Sequence, residues 1–168
     1  MNPIKVGLWG IGRAGHNMHC SEMDQYPDRF QIVAACDIDE SRVQNLVERY
    51  RCAGYTDGAA FLKDPNVEMV SIAVRSTEHV DYALRALKAG KIVFLKKPFA
   101  LSLDGLKLLE RAVKDYPGKL YFRHNRRFEA AFNHIREIIA TGILGDIFEI
   151  KLRRHNYQSR EDWQTLLN

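Results

Sequence analysis

Six residues near the N-terminus, Gly10-Ile11-Gly12-Arg13-Ala14-Gly15, are the strongest candidates for chemistry in this 168-residue chain. They follow the apolar run Ile4 to Trp9 and lead into a helix-like segment, the context in which glycines at this spacing cradle a dinucleotide. Gly10 permits a tight strand-to-helix turn, Gly12 lets the backbone approach a pyrophosphate without a Cβ in the way, and Gly15 lets helix and strand pack closely. Arg13 and Ala14 open the helix, whose unpaired N–H groups and partial positive charge favour phosphates. Asp37 stands at the end of the next apolar run, Gln31 to Cys36, about 20 residues on, where its carboxylate can accept hydrogen bonds from the adenosine ribose hydroxyls. That carboxylate repels a 2′-phosphate and no arginine immediately follows it, so NAD is expected over NADP, with Arg42 the nearest residue able to reverse the preference.

Strands and helices alternate around this turn. The first helix is expected over residues 13–26, ending before Pro27, and a buried strand over 30–37. Val43, Leu46, Val47 and Tyr50 then share one face of a second helix. Tyr55 marks a short strand, Asp57 caps a brief helix through Leu62, and Val67 to Val74 reads as a strand covered on both faces. A helix from Glu78 to Ala89 presents Val80, Ala83, Leu84 and Leu87 to the sheet, and Lys91 to Leu95 is the strand that follows. Ser102 caps a helix over Leu103 to Tyr116, with Leu106, Leu109 and Val113 facing inward, and Pro117-Gly118 turns into a strand over Lys119 to Arg123. The pattern predicts an α/β fold with a doubly wound, mostly parallel sheet, a Rossmann dinucleotide-binding domain over residues 1–123.

Residues 124–168 read differently, as a linker helix and the first strand of an incomplete C-terminal α/β domain. Phe128, Phe132, Ile135 and Ile139 stripe a helix over Phe128 to Ala140, and Phe148, Ile150 and Leu152 alternate with charged residues in a strand expected over Asp146 to Arg154. One strand cannot form a layer, and its open edge favours self-association, so a homo-oligomer is expected.

Composition narrows the partners. Apolar residues make up 46% of the chain, enough for one well-buried core. The formal charge of +4 is spread among interspersed charges of both signs, which argues against nucleic acid as a partner. Three widely spaced cysteines, Cys20, Cys36 and Cys52, suggest neither a disulfide framework nor a zinc site, as fits a cytoplasmic protein. No run approaches the ~20 apolar residues of a membrane span, so no membrane role is expected.

In order along essentially its whole length, the chain resembles the glucose–fructose oxidoreductase, inositol dehydrogenase and MocA (Gfo/Idh/MocA) family of nicotinamide-dependent oxidoreductases. The resemblance rests on Gly10 to Gly15, Asp37, Ser76-Thr77-Glu78-His79 through Ala89-Gly90-Lys91, Lys96-Lys97-Pro98, Arg127-Phe128, and Gly142 to Ile147. It implies hydride transfer between nicotinamide and a CH–OH carbon of a sugar, cyclitol or similar polyol. It also implies that Val74, Ser76 and His79 lie along the cofactor's path, although His79 reads equally as a capping or packing residue, and that Lys97 is a catalytic lysine beside nicotinamide and substrate. An ammonium there orients a substrate hydroxyl while hydride passes to the ring. Lys96 departs from the family, which carries Glu at that place, and Ser76 stands where many members have Pro. Family members also carry an Asp and a His, a helical turn apart, beyond the point where this sequence ends. The expectation is therefore a cofactor-binding portion with little turnover of its own. The competing reading is a non-catalytic dinucleotide-binding sensor or regulatory module.

Overall fold

The computed structural model describes residues 2–153 and 155. Among the described residues there are six strands: β1 (Ile4–Trp9), β2 (Phe30–Cys36), β3 (Ala53–Tyr55), β4 (Met69–Ile72), β5 (Ile92–Lys96) and β6 (Leu120–Arg123). They form one sheet in the order β3-β2-β1-β4-β5-β6 with every neighbouring pair parallel. Strand order reverses between β1 and β4, which opens a crevice at the carboxyl ends of those two strands.

The connections are helical. Gly15–Cys20 is wound as a π-helix and continues into α1 (Ser21–Met23); α2 (Glu40–Tyr50), α3 (Gly58–Lys63), α4 (His79–Lys88) and α5 (Leu103–Asp115) follow. Two apolar clusters result. One packs the π-helical segment, α1 and α2 through Cys20, Met23, Val43 and Leu46 onto Val6 and Leu8, and the other packs α3, α4 and α5 through Phe61, Leu87 and Leu109 onto Val70, Val93 and Leu95. Val6 and Leu8 fall in one cluster and Trp9 in the other, so the two cover opposite faces of the sheet. A bulge in the β1–β2 ladder between Val6 and Gly7 leaves Val33 as an extra residue, which places Ile32 and Ala35 on the same face.

Capping follows the residue types. Asp39 accepts from the Ser41 N–H, Asp57 from those of Ala59 and Ala60, and Ser102 from that of Gly105. Some expectations need correction. The first helix ends at Met23 instead of residue 26, because Pro27 disfavours helical backbone at Tyr26 and the chain turns before it. α5 buries Leu109 and Ala112, whereas Leu106 and Val113 are exposed, so its inward face is rotated from the one expected.

The chain divides into two compact units, Met1–His124 and Asn125–Asn168. In the second, a 3-10 turn over Asn125–Phe128 precedes α6 (Ala130–Ala140), which starts two residues later than expected. Its stripe of Phe128, Phe132, Ile135 and Ile139 is solvent-exposed. The strand expected over 146–154 is not formed over its described residues, since extended backbone becomes a strand only by pairing with another; Arg154 and residues 156–168 lie outside the described residues. Among the described residues no helix is long and apolar enough to cross a membrane, and no cluster of His, Cys, Asp or Glu is grouped to hold a metal ion.

Candidate dinucleotide site

The glycine turn is held from both sides of the crevice. Gly10, at φ 93°, donates its N–H to the Cys36 carbonyl at 2.9 Å, and a Cβ there would stand 2.5 Å from the Val74 nitrogen. A Cβ on Gly15 would lie 2.0 Å from the Gly10 carbonyl oxygen. Gly12 differs: a Cβ there would meet nothing within 4 Å, so the turn opens at that point onto space free of protein. Arg13 is exposed and Ala14 buried, so only the backbone of Ala14 can face a ligand. Both begin the helical turn whose N–H groups lack intrahelical acceptors.

Asp37 is drawn onto this turn more closely than expected. It is 8% exposed; Oδ2 accepts from the Ile11 N–H at 2.5 Å and Oδ1 from the Asp39 N–H at 3.0 Å. The Arg42 guanidinium lies 3.9 Å from Oδ1 and 3.1 Å from Asp39. An ionised carboxylate has about four lone-pair sites, so two remain for further donors.

On the other side of the crevice, Val74 and Ser76 are half-buried after β4. His79, by contrast, is fully buried, with Nδ1 2.5 Å from the Pro98 carbonyl oxygen and Nε2 3.1 Å from that of Val74. Its ring presents no free edge to a cofactor, so of the two sequence readings the packing one describes its contacts. Burial, with Lys96 as a lesser cause, holds its pKa below the usual value against the opposing pull of the two carbonyls. Lys97 is exposed in the turn after β5, joined to Pro98 by a cis peptide. Lys96 shares its face of β5 with Ile92 and Phe94 and is half-buried, whereas Lys97 lies beyond the strand and is exposed.

The π-helical segment also carries a polar layer that the sequence pattern did not announce. His19 is buried, its Nδ1 2.6 Å from Ser71 Oγ, while Nε2 is buried without a hydrogen-bond partner. Beside it, buried Arg123 donates from Nε and Nη2 to the Glu22 carboxylate. Burial first, then the charges of Arg123 and Lys96, push the His19 pKa down to about 3. The signal for this layer was weak, a serine and an arginine each isolated in an apolar strand.

His19 makes acid sensitivity predictable in sign. Folded His19 stays neutral where unfolded histidine gains a proton, so stability is complete above about pH 6.5 and falls as pH drops toward the folded pKa. Urea unfolding is expected to show a His19 contribution of roughly 2 kcal/mol lost between pH 7 and pH 5. His19→Asn, which keeps a partner for Ser71 and does not titrate, is expected to remove that part of the difference.

A family model for Gfo/Idh/MocA, an oxidoreductase family with an NAD-binding Rossmann fold, matches residues 4–124. An inositol 2-dehydrogenase of Salmonella paratyphi B is 28% identical over 165 residues, covering 96% of this chain and 49% of the relative. A myo-inositol 2-dehydrogenase of Thermotoga maritima is 27% identical over 143 residues, 84% of this chain and 42% of the relative. The chain thus spans about half the length of the curated relatives it matches. A Desulfitobacterium hafniense structure described as an NADPH-dependent oxidoreductase superposes at TM-score 0.79 and 27% identity, over 87% of this chain and 42% of that one. The WlbA dehydrogenase of Bordetella pertussis, solved with NADH and UDP-GlcNAcA, shares the fold at TM-score 0.80 and 24% identity, over 86% and 44%. With strand order, glycine turn and family model in agreement over the first unit, the chain belongs to the Gfo/Idh/MocA oxidoreductase family.

Proposed function

We propose that this chain is the cofactor-binding portion of an oxidoreductase that moves hydride between a nicotinamide and a CH–OH carbon of a sugar, cyclitol or similar polyol. The observation that carries the reading is the opening at Gly12, flanked by two glycine positions where a Cβ would collide with backbone, at the point where strand order reverses. The residues present fit a dinucleotide. Gly12 and the first-turn N–H groups of Arg13 and Ala14 would hold the diphosphate, and the two spare lone-pair sites of Asp37 would accept from the ribose hydroxyls. Val74 and Ser76 would line the path toward the nicotinamide, and Lys97 would stand at the reacting end.

The nicotinamide, when bound, supplies hydride acceptance or donation. The chain's part is to hold and orient: the Lys97 ammonium donates to the substrate hydroxyl oxygen and fixes the carbon that bears it. The names of the relatives, inositol 2-dehydrogenase and myo-inositol 2-dehydrogenase, support a polyol substrate. Little turnover is proposed for this chain alone, because it spans about half the length of those relatives.

NAD is the proposed cofactor, since the Asp37 carboxylate meets the 2′ position with negative charge. Arg42 lies near but is already engaged with Asp37 and Asp39. Calorimetric titration is expected to show NADH binding at least about tenfold tighter than NADPH, a difference of ~1.4 kcal/mol. Tighter NADPH binding would overturn the choice of cofactor. Ready formation of NADH from NAD and myo-inositol by these 168 residues would overturn the proposal of low turnover.

A further inference from the structure

We infer that His79 is a positioning residue for Lys97, fixing the Pro98 carbonyl so that the lysine leaves β5 toward the crevice. The inference rests on the reading of Lys97 as the group at the reacting end. The β4–β5 ladder ends at Ile72 and Leu95, and the segments that leave it run on to Val74 and to Lys97-Pro98. His79, the first residue of α4, fills the gap between them. Its imidazole has Pro98 O at 2.5 Å on one nitrogen and Val74 O at 3.1 Å on the other, and no part of it reaches solvent.

The ring therefore stands where backbone pairing stops. A neutral imidazole donates to only one of these carbonyls; the proton is assigned to Nδ1 on the shorter contact, donating to Pro98 O, which leaves the Nε2 lone pair facing Val74 O with no hydrogen bond between them. Lys97 itself is exposed and its side chain long, so its direction depends on the peptide that carries it. That peptide is joined to the residue whose carbonyl His79 holds. Phe in place of His79 keeps a ring of similar size without a donor. Asn places an amide N–H near the position of Nδ1, whereas Gln places it near that of Nε2.

The test uses the 168-residue chain and NADH. Acetylation of Lys97 by acetic anhydride, followed by peptide mass spectrometry, is compared with and without saturating NADH, whose affinity is measured by calorimetry. In the wild-type chain NADH is expected to slow Lys97 acetylation at least about tenfold. In His79→Phe the NADH affinity is expected to stay within about threefold while most of that protection is lost, and His79→Asn is expected to restore it. A folded His79→Phe chain with full protection, or equal loss in the Phe and Asn variants, overturns the inference. If the Phe variant does not fold, Asn and Gln are compared: protection by Asn but not Gln supports the inference, and equal protection overturns it. If NADH binds the wild-type chain without protecting Lys97, the reading of Lys97 fails first and the inference falls with it.

Discussion

Gly15→Ala is expected to destabilise the chain by about 3 kcal/mol and abolish measurable NADH binding. The added Cβ would lie 2.0 Å from the Gly10 carbonyl oxygen and 3.1 Å from its carbon, both backbone atoms. Gly10 cannot retreat, because its N–H is bonded to Cys36 O and the Val74 backbone is packed against it, its nitrogen 2.5 Å from where a Cβ would be. The collision must move either the helix or β1, and with it the turn that opens at Gly12. Gly12→Ala is the control. Its Cβ meets nothing and its backbone is not in the left-handed region, so stability is expected to change by less than ~0.5 kcal/mol. The methyl group would nonetheless stand in the space assigned to the diphosphate, and NADH affinity is expected to fall about tenfold or more. Urea unfolding and calorimetry separate the two effects. Unchanged NADH binding by Gly12→Ala would remove this turn as the phosphate site.

The second large effect is expected at Asp37. Asp37→Ala leaves the Ile11 and Asp39 N–H groups without the carboxylate that accepts them at 2.5 and 3.0 Å. Ile11 is buried, so its N–H has little access to water, and a loss of about 2 kcal/mol is expected in urea unfolding. Removing an acceptor for the ribose is expected to weaken NADH binding at least about 30-fold, the equivalent of ~2 kcal/mol for one charge-assisted hydrogen bond. NADPH affinity is expected to hold or rise, because Arg42 loses a carboxylate partner and the 2′-phosphate loses its repulsion. A parallel loss for both cofactors would assign Asp37 to the turn alone.

Much of this arrangement was legible in the residues. The glycine spacing, the acid at the end of the second apolar run and the alternation of periods define the parallel sheet, because each is a local signal with a local cause. Asp57 and Ser102 were readable as caps for the same reason. What escaped reading depends on partners distant in the chain. Nothing in the residue pattern of 15–20 announces a π-helix, whose extra residue per turn alters which side chains face the sheet. His79 looked like a helix start beside the cofactor because sequence does not show that Pro98, nineteen residues later, returns to cover it. α4 was expected to bury Val80, Ala83, Leu84 and Leu87, but its fully buried residues are His79, Ala83, Ala86 and Leu87, with Val80 and Leu84 packed at the margin. Periodicity marks apolar faces and passes over a buried imidazole. The alternation around Phe148 identified residues able to form a strand but not a neighbour for them to pair with.

Trp9 closes β1 immediately before Gly10, and it is held on every side. It is 4% exposed, 4.4 Å from the Tyr82 ring and 5.5 Å from Phe61, with the Arg85 guanidinium over its face. A Cβ on Gly58 would lie 2.3 Å from the indole, so that side too is closed. An indole locked beside the cradle is a built-in optical reporter. Its emission overlaps the absorption of reduced nicotinamide, so with NADH in the proposed site excitation would pass from Trp9 to the cofactor, and Trp9→Phe would separate this transfer from the emission of Trp163, the chain's other tryptophan. Because the Trp9 ring has no room to change rotamer, the part of that transfer lost in Trp9→Phe would report occupied sites instead of rearrangements of the reporter.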